Sequence, residues 1–502
     1  MAHDYRRSDL DRVAPHPQVW RHIRRGLQPV QKDTRFYIDG AWTDRPDAKL
    51  IDVIDPASEQ VFGQIAAGTS ADVDLAVAAA RRAFDGFGYS PVEERLALLK
   101  RIRDLLEERA EEFAQSVVKE MGAAISFARA GQVYFGIEHV RVAIKVLEDF
   151  AFRSEVNGIT VRKEPIGVVA MITPWNWPLY QITAKVAPAI AAGCTVVLKP
   201  SEMSPFTAQL FAQVMHDAGT PAGVFNLVHG TGEEVGEAMS AHKDVEMVSF
   251  TGSTRAGVLV AKAAAPTVKR VVQELGGKSP NIFLPDANFE EAVGKGVLGA
   301  MRNCGQSCAA PTRMLVPADR LADVELLAAE AAEGVVVANP LDEKAVLGPL
   351  ANGPQFAKVQ DLIQAGIDGG AKLVCGGTGR PNGLNAGYFV KPTVFSEVTP
   401  DMRIAQEEIF GPVLCIMPYK DEEDAIRIAN DTVYGLSSHV QSADQEAARR
   451  VAGRIRAGQV HINYPAWSGF APFGGYKQSG NGREYGVYGL EDYLETKAIL
   501  GY

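Results

Sequence analysis

Apolar positions change rhythm along the chain. Residues 51–54 alternate as a strand and run into Asp55-Pro56-Ala57-Ser58, a turn sequence. Residues 71–85 and 91–119 then carry apolar side chains at helical spacing. Ser70 with Asp72 opens the first, and Ser90-Pro91 with Glu93 opens the second: a capping serine, then proline or an early acid. The periodic stretch 123–150 predicts a further helix. Beyond it, short apolar runs at 166–172, 195–198, 224–228, 247–250 and 268–272 alternate with helical segments at 179–192, 205–218 and 232–240. Short buried strands separated by helices predict βαβ units and a parallel sheet. A second alternation follows, with strand candidates at 281–284, 312–316, 412–417 and 459–462, so two α/β domains are expected. The tail holds Tyr493-Leu494-Glu495-Thr496-Lys497-Ala498-Ile499, too isolated for a domain and suited to an edge strand docked elsewhere.

Composition narrows the class. At ~150 residues per domain, a chain of 502 residues suggests about three domains. Its 51 Lys+Arg against 61 Asp+Glu give a net charge of −10, and 46% of its residues are hydrophobic. A disordered chain and a nucleic-acid partner are therefore not expected. Five cysteines (Cys194, Cys304, Cys308, Cys375, Cys415) argue against a disulfide framework and for a reducing, cytoplasmic compartment. The most apolar stretch, 184–198, is broken by Lys185, Pro188 and Gly193, so no membrane partner is expected. Residues 1–35 have no apolar h-region and read as a solvated N-terminal extension.

Two glycine-rich loops invite a nucleotide reading. Gly230-Thr-Gly232-Glu-Glu-Val-Gly236 follows a strand but spaces its glycines as GxGxxxG, one residue off the dinucleotide fingerprint. Gly252-Ser-Thr-Arg-Ala-Gly257 also follows a strand and offers backbone N–H groups to a pyrophosphate; a plain turn and cap fits it equally. Among the cysteines, Cys308 lies in Asn303-Cys304-Gly305-Gln306-Ser307-Cys308, small and polar residues that leave room for a carbonyl substrate. Cys194, Cys375 and Cys415 lie in apolar or glycine-rich strand contexts that suit packing. The CxxxC spacing and nine scattered histidines give no metal set. On these residues alone Cys308 reads more readily as a packing thiol than as a nucleophile.

Order along the chain changes that. Pro174-Trp175-Asn176-Trp177-Pro178, Lys199-Pro200-Ser201-Glu202, Phe250-Thr251-Gly252-Ser253-Thr254, Glu274-Leu275-Gly276-Gly277-Lys278, the Cys308 segment, Glu408-Ile409-Phe410-Gly411-Pro412 and Pro472-Phe473-Gly474-Gly475 follow one another. From about residue 36 to the end, the chain resembles the NAD(P)-dependent aldehyde dehydrogenase superfamily. The resemblance implies an α/β protein with a Rossmann-like NAD-binding domain (36–146 and 166–276), an α/β catalytic domain (277–484) and a small β oligomerisation element (147–165 and 485–502), after the extension 1–35. It also implies a homotetramer or homodimer.

By the same resemblance Cys308 is the nucleophile that attacks an aldehyde to form a thiohemiacetal. The Asn176 amide and the Cys308 N–H hold the oxyanion, and Glu274 activates the water that hydrolyses the later thioester. Lys199 and Glu202 match ligands of the adenosine ribose, and Glu408 matches a ligand of the nicotinamide ribose. Phe250, Gly252 and Ser253 lie at the pyrophosphate. Trp175, Gly276 and Phe410 lie near the cofactor. Glu202 favours NAD, with NADP still possible.

Trp177, Tyr180, Gln181, Tyr464, Trp467 and Phe473 resemble the tunnel lining, and Met301 stands where the family carries an aromatic. These suit a medium-sized or aromatic aldehyde. A CoA-acylating enzyme and a semialdehyde-specific enzyme are the alternatives, the first disfavoured by Glu274. Cys304, four residues before Cys308, raises the question of a redox pair, which helix-like turns with diverging thiols disfavour.

Overall fold

A computed structural model describes residues 30–501. Five consecutive short strands, Val168–Ile172, Thr195–Lys199, Phe225–Leu227, Met247–Thr251 and Arg270–Glu274, pair in parallel as the alternation predicts. All but Arg270–Glu274 are buried from end to end, as a sheet covered by helices on both faces requires. Their spatial order reverses between Val168–Ile172 and Met247–Thr251: from the former, one series runs toward Phe225–Leu227 and the other toward Arg270–Glu274. Such a switch point opens a crevice at the carboxyl ends of its two strands. The chain leaves those ends as Thr173-Pro174-Trp175-Asn176 and as Gly252-Ser253.

Antiparallel strands finish this eight-stranded sheet. Arg35–Ile38 and Ala41–Asp44 close one edge, and Gly480–Asn481, brought back from far along the chain, pairs with Arg270–Glu274 at the other. The second sheet has seven strands, Pro280–Phe283 and Arg313–Pro317 at its centre, with Ser437–Gln441 beside the former and Val413–Tyr419 beside the latter. The tail strand Leu494–Ile499 docks antiparallel on Ile159–Pro165, which pairs in turn with Arg153–Val156.

The structure alters several local expectations. The stretch 91–119 is two helices, Val92–Glu108 and Ala110–Met121, divided at Arg109. The stretch 123–150 is interrupted by a wide turn over Ala128–Val133 before the helix Tyr134–Asp149. Thr69, not Ser70, caps the first helix, in a capping box with Asp72. Of the N-terminal extension, residues 1–29 lie outside the described residues, while Gln31–Asp33 is already a strand paired with Gln60–Ala66.

One buried carboxylate fixes the layer behind the crevice. Glu120 is 1% exposed and accepts from the Phe206 and Thr207 N–H groups at 2.8 and 3.0 Å, capping the helix Pro205–Asp217. Burial raises its pKa to about 7. Glu120→Ala leaves two buried donors unpaired, so the folded state should lose about 2–4 kcal/mol, read as a lower midpoint in urea denaturation.

Candidate active site

Cys308 is held by a turn that few sequences would adopt. After the helix Phe289–Met301 the chain passes through Asn303, Cys304 and Gly305 with φ of 57, 56 and 70°, three left-handed residues in succession. At Gly305 a Cβ would collide with the Gly411 carbonyl, so the turn packs against the segment carrying Glu408 and Phe410. Amides lock it in place. Gln306 Nε2 donates to the Asn303 carbonyl at 3.2 Å, and Asn303 Nδ2 donates to the Asn176 carbonyl at 3.0 Å. Gln132, buried and absent from the sequence reading, donates through Nε2 to both the Asn176 carbonyl (2.9 Å) and Asn303 Oδ1 (3.0 Å). Asn176 Nδ2 donates to the Gln306 carbonyl at 2.9 Å. An amide nitrogen carries two hydrogens, and Gln306 takes one of them.

Glu274 ends the strand Arg270–Glu274 beside this turn. It is 1% exposed, and neither carboxylate oxygen has a hydrogen-bond partner among the described residues. Gly276 and Gly277 explain the close approach of its loop. A Cβ on Gly277 would drive into the Cys308 carbonyl, and one on Gly276 would stand 2.7 Å from Glu408 Oε2. Burial holds Glu274 well above the usual carboxylate range, the Glu484 charge adds to that, and the Lys185 charge opposes it. Lys185 and Glu484 form a buried ion pair at 2.5 Å, joined by Ser249, whose Oγ accepts from Lys185 Nζ at 3.2 Å. Sequence reasoning missed this pair because its members stand 299 residues apart.

Burial, then the nearby carboxylates of Glu408 and Glu274, push the Cys308 thiol up. Cys308 packs against a buried cluster of Ala184, Leu436, Phe473 and Tyr485, on which Tyr180 also packs. Aromatic rings continue from there. Trp177 lies 5.2 Å from Tyr180 and donates through Nε1 to Ser307 Oγ, while the Tyr180 and Tyr485 hydroxyls lie 2.6 Å apart. Trp467 packs on Phe135 at 4.8 Å and on His139 at 5.5 Å, and Phe473 stacks on Tyr485 at 5.2 Å. Gln181 is buried on the same helix as Tyr180.

Two expected lining residues lie elsewhere. Met301 is buried in the core of the second sheet, among the side chains that pack on Pro280–Phe283 and Arg313–Pro317. Tyr464 is drawn the same way: its hydroxyl accepts from Asn281 Nδ2 and donates to the Ala292 carbonyl, both at 2.9 Å. Phe127, Phe135, His139 and Tyr485 supply the aromatic surface instead; three of them stand in helical stretches that read from sequence as ordinary core.

The switch-point crevice carries the remaining residues. Ser253 caps the helix Thr254–Ala264, accepting at Oγ from the Ala256 N–H at 3.2 Å. A Cβ on Gly252 would come within 2.5 Å of the Phe250 ring, so the backbone there is closely packed below and bare above. Lys199 is 3% exposed, with Nζ donating to the Pro200 carbonyl at 2.9 Å and 3.3 Å from Glu202. Glu408 accepts from the Gly277 N–H at 2.8 Å, and Trp175 meets Phe410 edge to face at 5.5 Å. The 230–236 loop is a wide turn over Gly232–Gly236 capped by Thr231, not a Rossmann fingerprint. Among the described residues no cluster of metal-ligating side chains occurs and no helix is long and apolar enough to cross a membrane.

Comparisons agree along nearly the full length. A model of the aldehyde dehydrogenase family matches residues 42–499. A 3-succinoylsemialdehyde-pyridine dehydrogenase of a Pseudomonas species is 54% identical over 468 residues, 93% of this chain and 98% of that protein. Among solved structures, aldehyde dehydrogenase C of Pseudomonas syringae, a cysteine-to-alanine variant with NAD+ and octanal, is 63% identical at a TM-score of 0.93, covering 93% of this chain and 96% of that one. A betaine aldehyde dehydrogenase of Staphylococcus aureus in complex with NAD+ is 36% identical at a TM-score of 0.90, covering 93% and 94%.

Proposed function

The chain belongs to the aldehyde dehydrogenase family, and from that premise we propose that it oxidises a medium-sized or aromatic aldehyde to the carboxylic acid with NAD+. The observation that carries this reading is the meeting of Cys308, Asn176 and an unpartnered, buried Glu274 beside an aromatic wall. The crevice fits a dinucleotide. Its floor at Gly252 is bare backbone at a helix N-terminus, which suits a pyrophosphate, and Thr251 Oγ1 is buried without a partner. Lys199 and Glu202 would hold one ribose and Glu408 the other, and Trp175, Phe410 and Gly276 would lie near the nicotinamide. When bound, NAD+ supplies the acceptor for the hydride that leaves the substrate carbon.

The chain's own residues account for the rest. Cys308 gives up its thiol proton to solvent water, Sγ forms a bond to the aldehyde carbon, and the carbonyl π pair moves onto the oxygen, which gathers negative charge. The free hydrogen on Asn176 Nδ2 and the Cys308 N–H stabilise that charge, in a setting that excludes water from the amide network. Once the carbon stands at the thioester level, Glu274 takes a proton from water, the hydroxide adds to the carbon, and Cys308 leaves as the acid is released. A raised pKa suits this task, because a stronger base takes the proton more readily at neutral pH.

The assay is NADH formation across an aldehyde panel, with and without CoA. Turnover independent of CoA, with benzaldehyde and octanal well ahead of acetaldehyde and succinic semialdehyde, is the expected result. An absolute requirement for CoA, or a preference for succinic semialdehyde, would replace this reading with one of the two alternatives. Cofactor choice gives a second prediction. The Glu202 carboxylate repels a 2′-phosphate, so kcat/KM should favour NAD+ over NADP+ by at least about 10-fold, and Glu202→Thr should erode most of that ratio. Free cysteines throughout the described residues support a cytoplasmic location. The sheet of Arg153–Val156, Ile159–Pro165 and Leu494–Ile499 is the proposed contact of a homodimer or homotetramer, testable by light scattering.

A further inference from the structure

His139 is a polar residue in a place that only apolar groups would ordinarily fill. It stands on the helix Tyr134–Asp149 and is 4% exposed. Three rings of the aromatic wall enclose it: Tyr180 edge-on at 4.4 Å, Tyr485 at 4.4 Å and Trp467 edge-on at 5.5 Å. Its Nε2 is buried and has no hydrogen-bond partner among the described residues. A buried polar atom left so is unfavourable unless a partner reaches it. Burial lowers the His139 pKa to about 3, so the ring is neutral and can offer one N–H and one bare nitrogen.

A small cavity adjoins the ring. His139, Val142, Ala184, Pro188, Tyr485 and Leu490 line it, and at about 20 Å³ it admits one water-sized group. Ala184 and Tyr485 line it and also belong to the cluster on which Cys308 packs. Tyr485 holds φ of 69° and ψ of 152°, a region nearly confined to glycine and strained for a tyrosine. The fold thus keeps this ring against His139 at a local cost, as ligand clamps do.

We propose that His139 is a specificity-determining residue, hydrogen-bonding through Nε2 to an uncharged acceptor, a ring nitrogen or a ketone oxygen, carried by the apolar body of the aldehyde some bonds from the reacting carbon. This rests on the reading of the chain as an aldehyde dehydrogenase and narrows its substrate class. The ring or chain of the substrate lies among Trp177, Tyr180 and Trp467. Its acceptor atom takes the place a single water would otherwise hold. A site built around a buried hydrogen-bonding group discriminates against analogues that leave it unpaired, which an all-apolar pocket cannot do.

The test uses matched pairs of aldehydes: the 2-, 3- and 4-pyridyl propanals each against 3-phenylpropanal, and 4-oxo-4-phenylbutanal against 5-phenylpentanal. In the wild type at least one acceptor-bearing member should exceed its all-carbon partner in kcat/KM by about 10-fold or more, mainly through KM. In His139→Phe that ratio should fall to about 1–2, and His139→Asn, which retains a hydrogen-bonding amide, should recover part of it. The same pairs, titrated by tryptophan fluorescence into Cys308→Ala with NAD+, should show the same ratio in Kd without turnover. If no pair favours the acceptor, or the preference survives in His139→Phe, the nitrogen is satisfied by water and the proposal is overturned while aldehyde oxidation stands. Absence of NADH from every aldehyde overturns both.

Discussion

Cys308→Ala is expected to remove NADH formation from every aldehyde, a fall in kcat of about 10⁴-fold or more. The size follows from what is left behind. Asn176 and the backbone still polarise a carbonyl, but hydride departs readily only from a tetrahedral carbon bearing oxygen and a fourth substituent, and the thiol supplies that substituent. Cys308→Ser should be nearly as inactive, because a buried hydroxyl far from its ionisation range is a poor nucleophile. The folded state should hardly notice either change. The thiol only packs at the edge of the cluster of Ala184, Leu436, Phe473 and Tyr485, and the turn is held by Gln132, Asn176, Asn303 and Gln306. Equal thermal midpoints with a lost activity would separate chemistry from collapse; residual turnover within 10-fold of wild type would sink the assignment.

Cys304→Ala provides the contrast. Its Sγ donates to the Gly348 carbonyl at 3.2 Å and lies in the core of the second sheet, whereas Cys308 packs on a cluster that includes Ala184 of the helix Pro178–Ala192. The two thiols diverge although four residues apart, because the left-handed turn between them redirects the chain. The variant should keep its activity, and non-reducing peptide mapping of oxidised protein should yield no link between 304 and 308.

Much of this was legible in residue order. The parallel strands announce themselves because a strand buried on both faces reads as an unbroken apolar run, as at Val168–Ile172 and Thr195–Lys199. Ser437–Gln441 is buried at all but His439, yet Ser-Ser-His-Val-Gln offers no apolar run and is absent from the strand candidates. Its polarity is tolerated through tertiary hydrogen bonds, such as Gln441 Nε2 to Asn281 Oδ1 at 2.9 Å, that no local pattern reveals. The break at Arg109 escapes notice for want of a glycine or proline. In the site, Cys308, Asn176 and Glu274 lie in recognisable motifs. Lys185, Gln132, His139 and Tyr485 acquire meaning only from partners in other segments. Met301 lies in the second core and Tyr464 is tied by its hydroxyl to Asn281 and Ala292, contacts that their spacing from the motifs does not reveal.

The ionisation of Glu274 carries the other large prediction, Glu274→Gln. Deacylation needs a base, and glutamine offers none, so steady-state kcat should fall by about 10²–10⁴-fold. Nucleophilic attack does not need that carboxylate in the same way. A rapid burst approaching one NADH per active site should therefore persist, followed by near-arrest, and loss of the burst along with the steady state would show that Glu274 also serves the first step. The pH profile fixes the sign. Burial and Glu484 raise the Glu274 pKa, so the base is protonated over more of the acid range and kcat should climb through a pKa above the usual carboxylate range. Glu484→Gln removes the repelling charge, which favours ionised Glu274. The acid limb should then move to lower pH, and it should flatten altogether in Glu274→Gln. A limb that stays in place in Glu484→Gln would mean that a group other than Glu274 titrates there, with Cys308, itself pushed up by burial, the first to examine by thiolate absorbance.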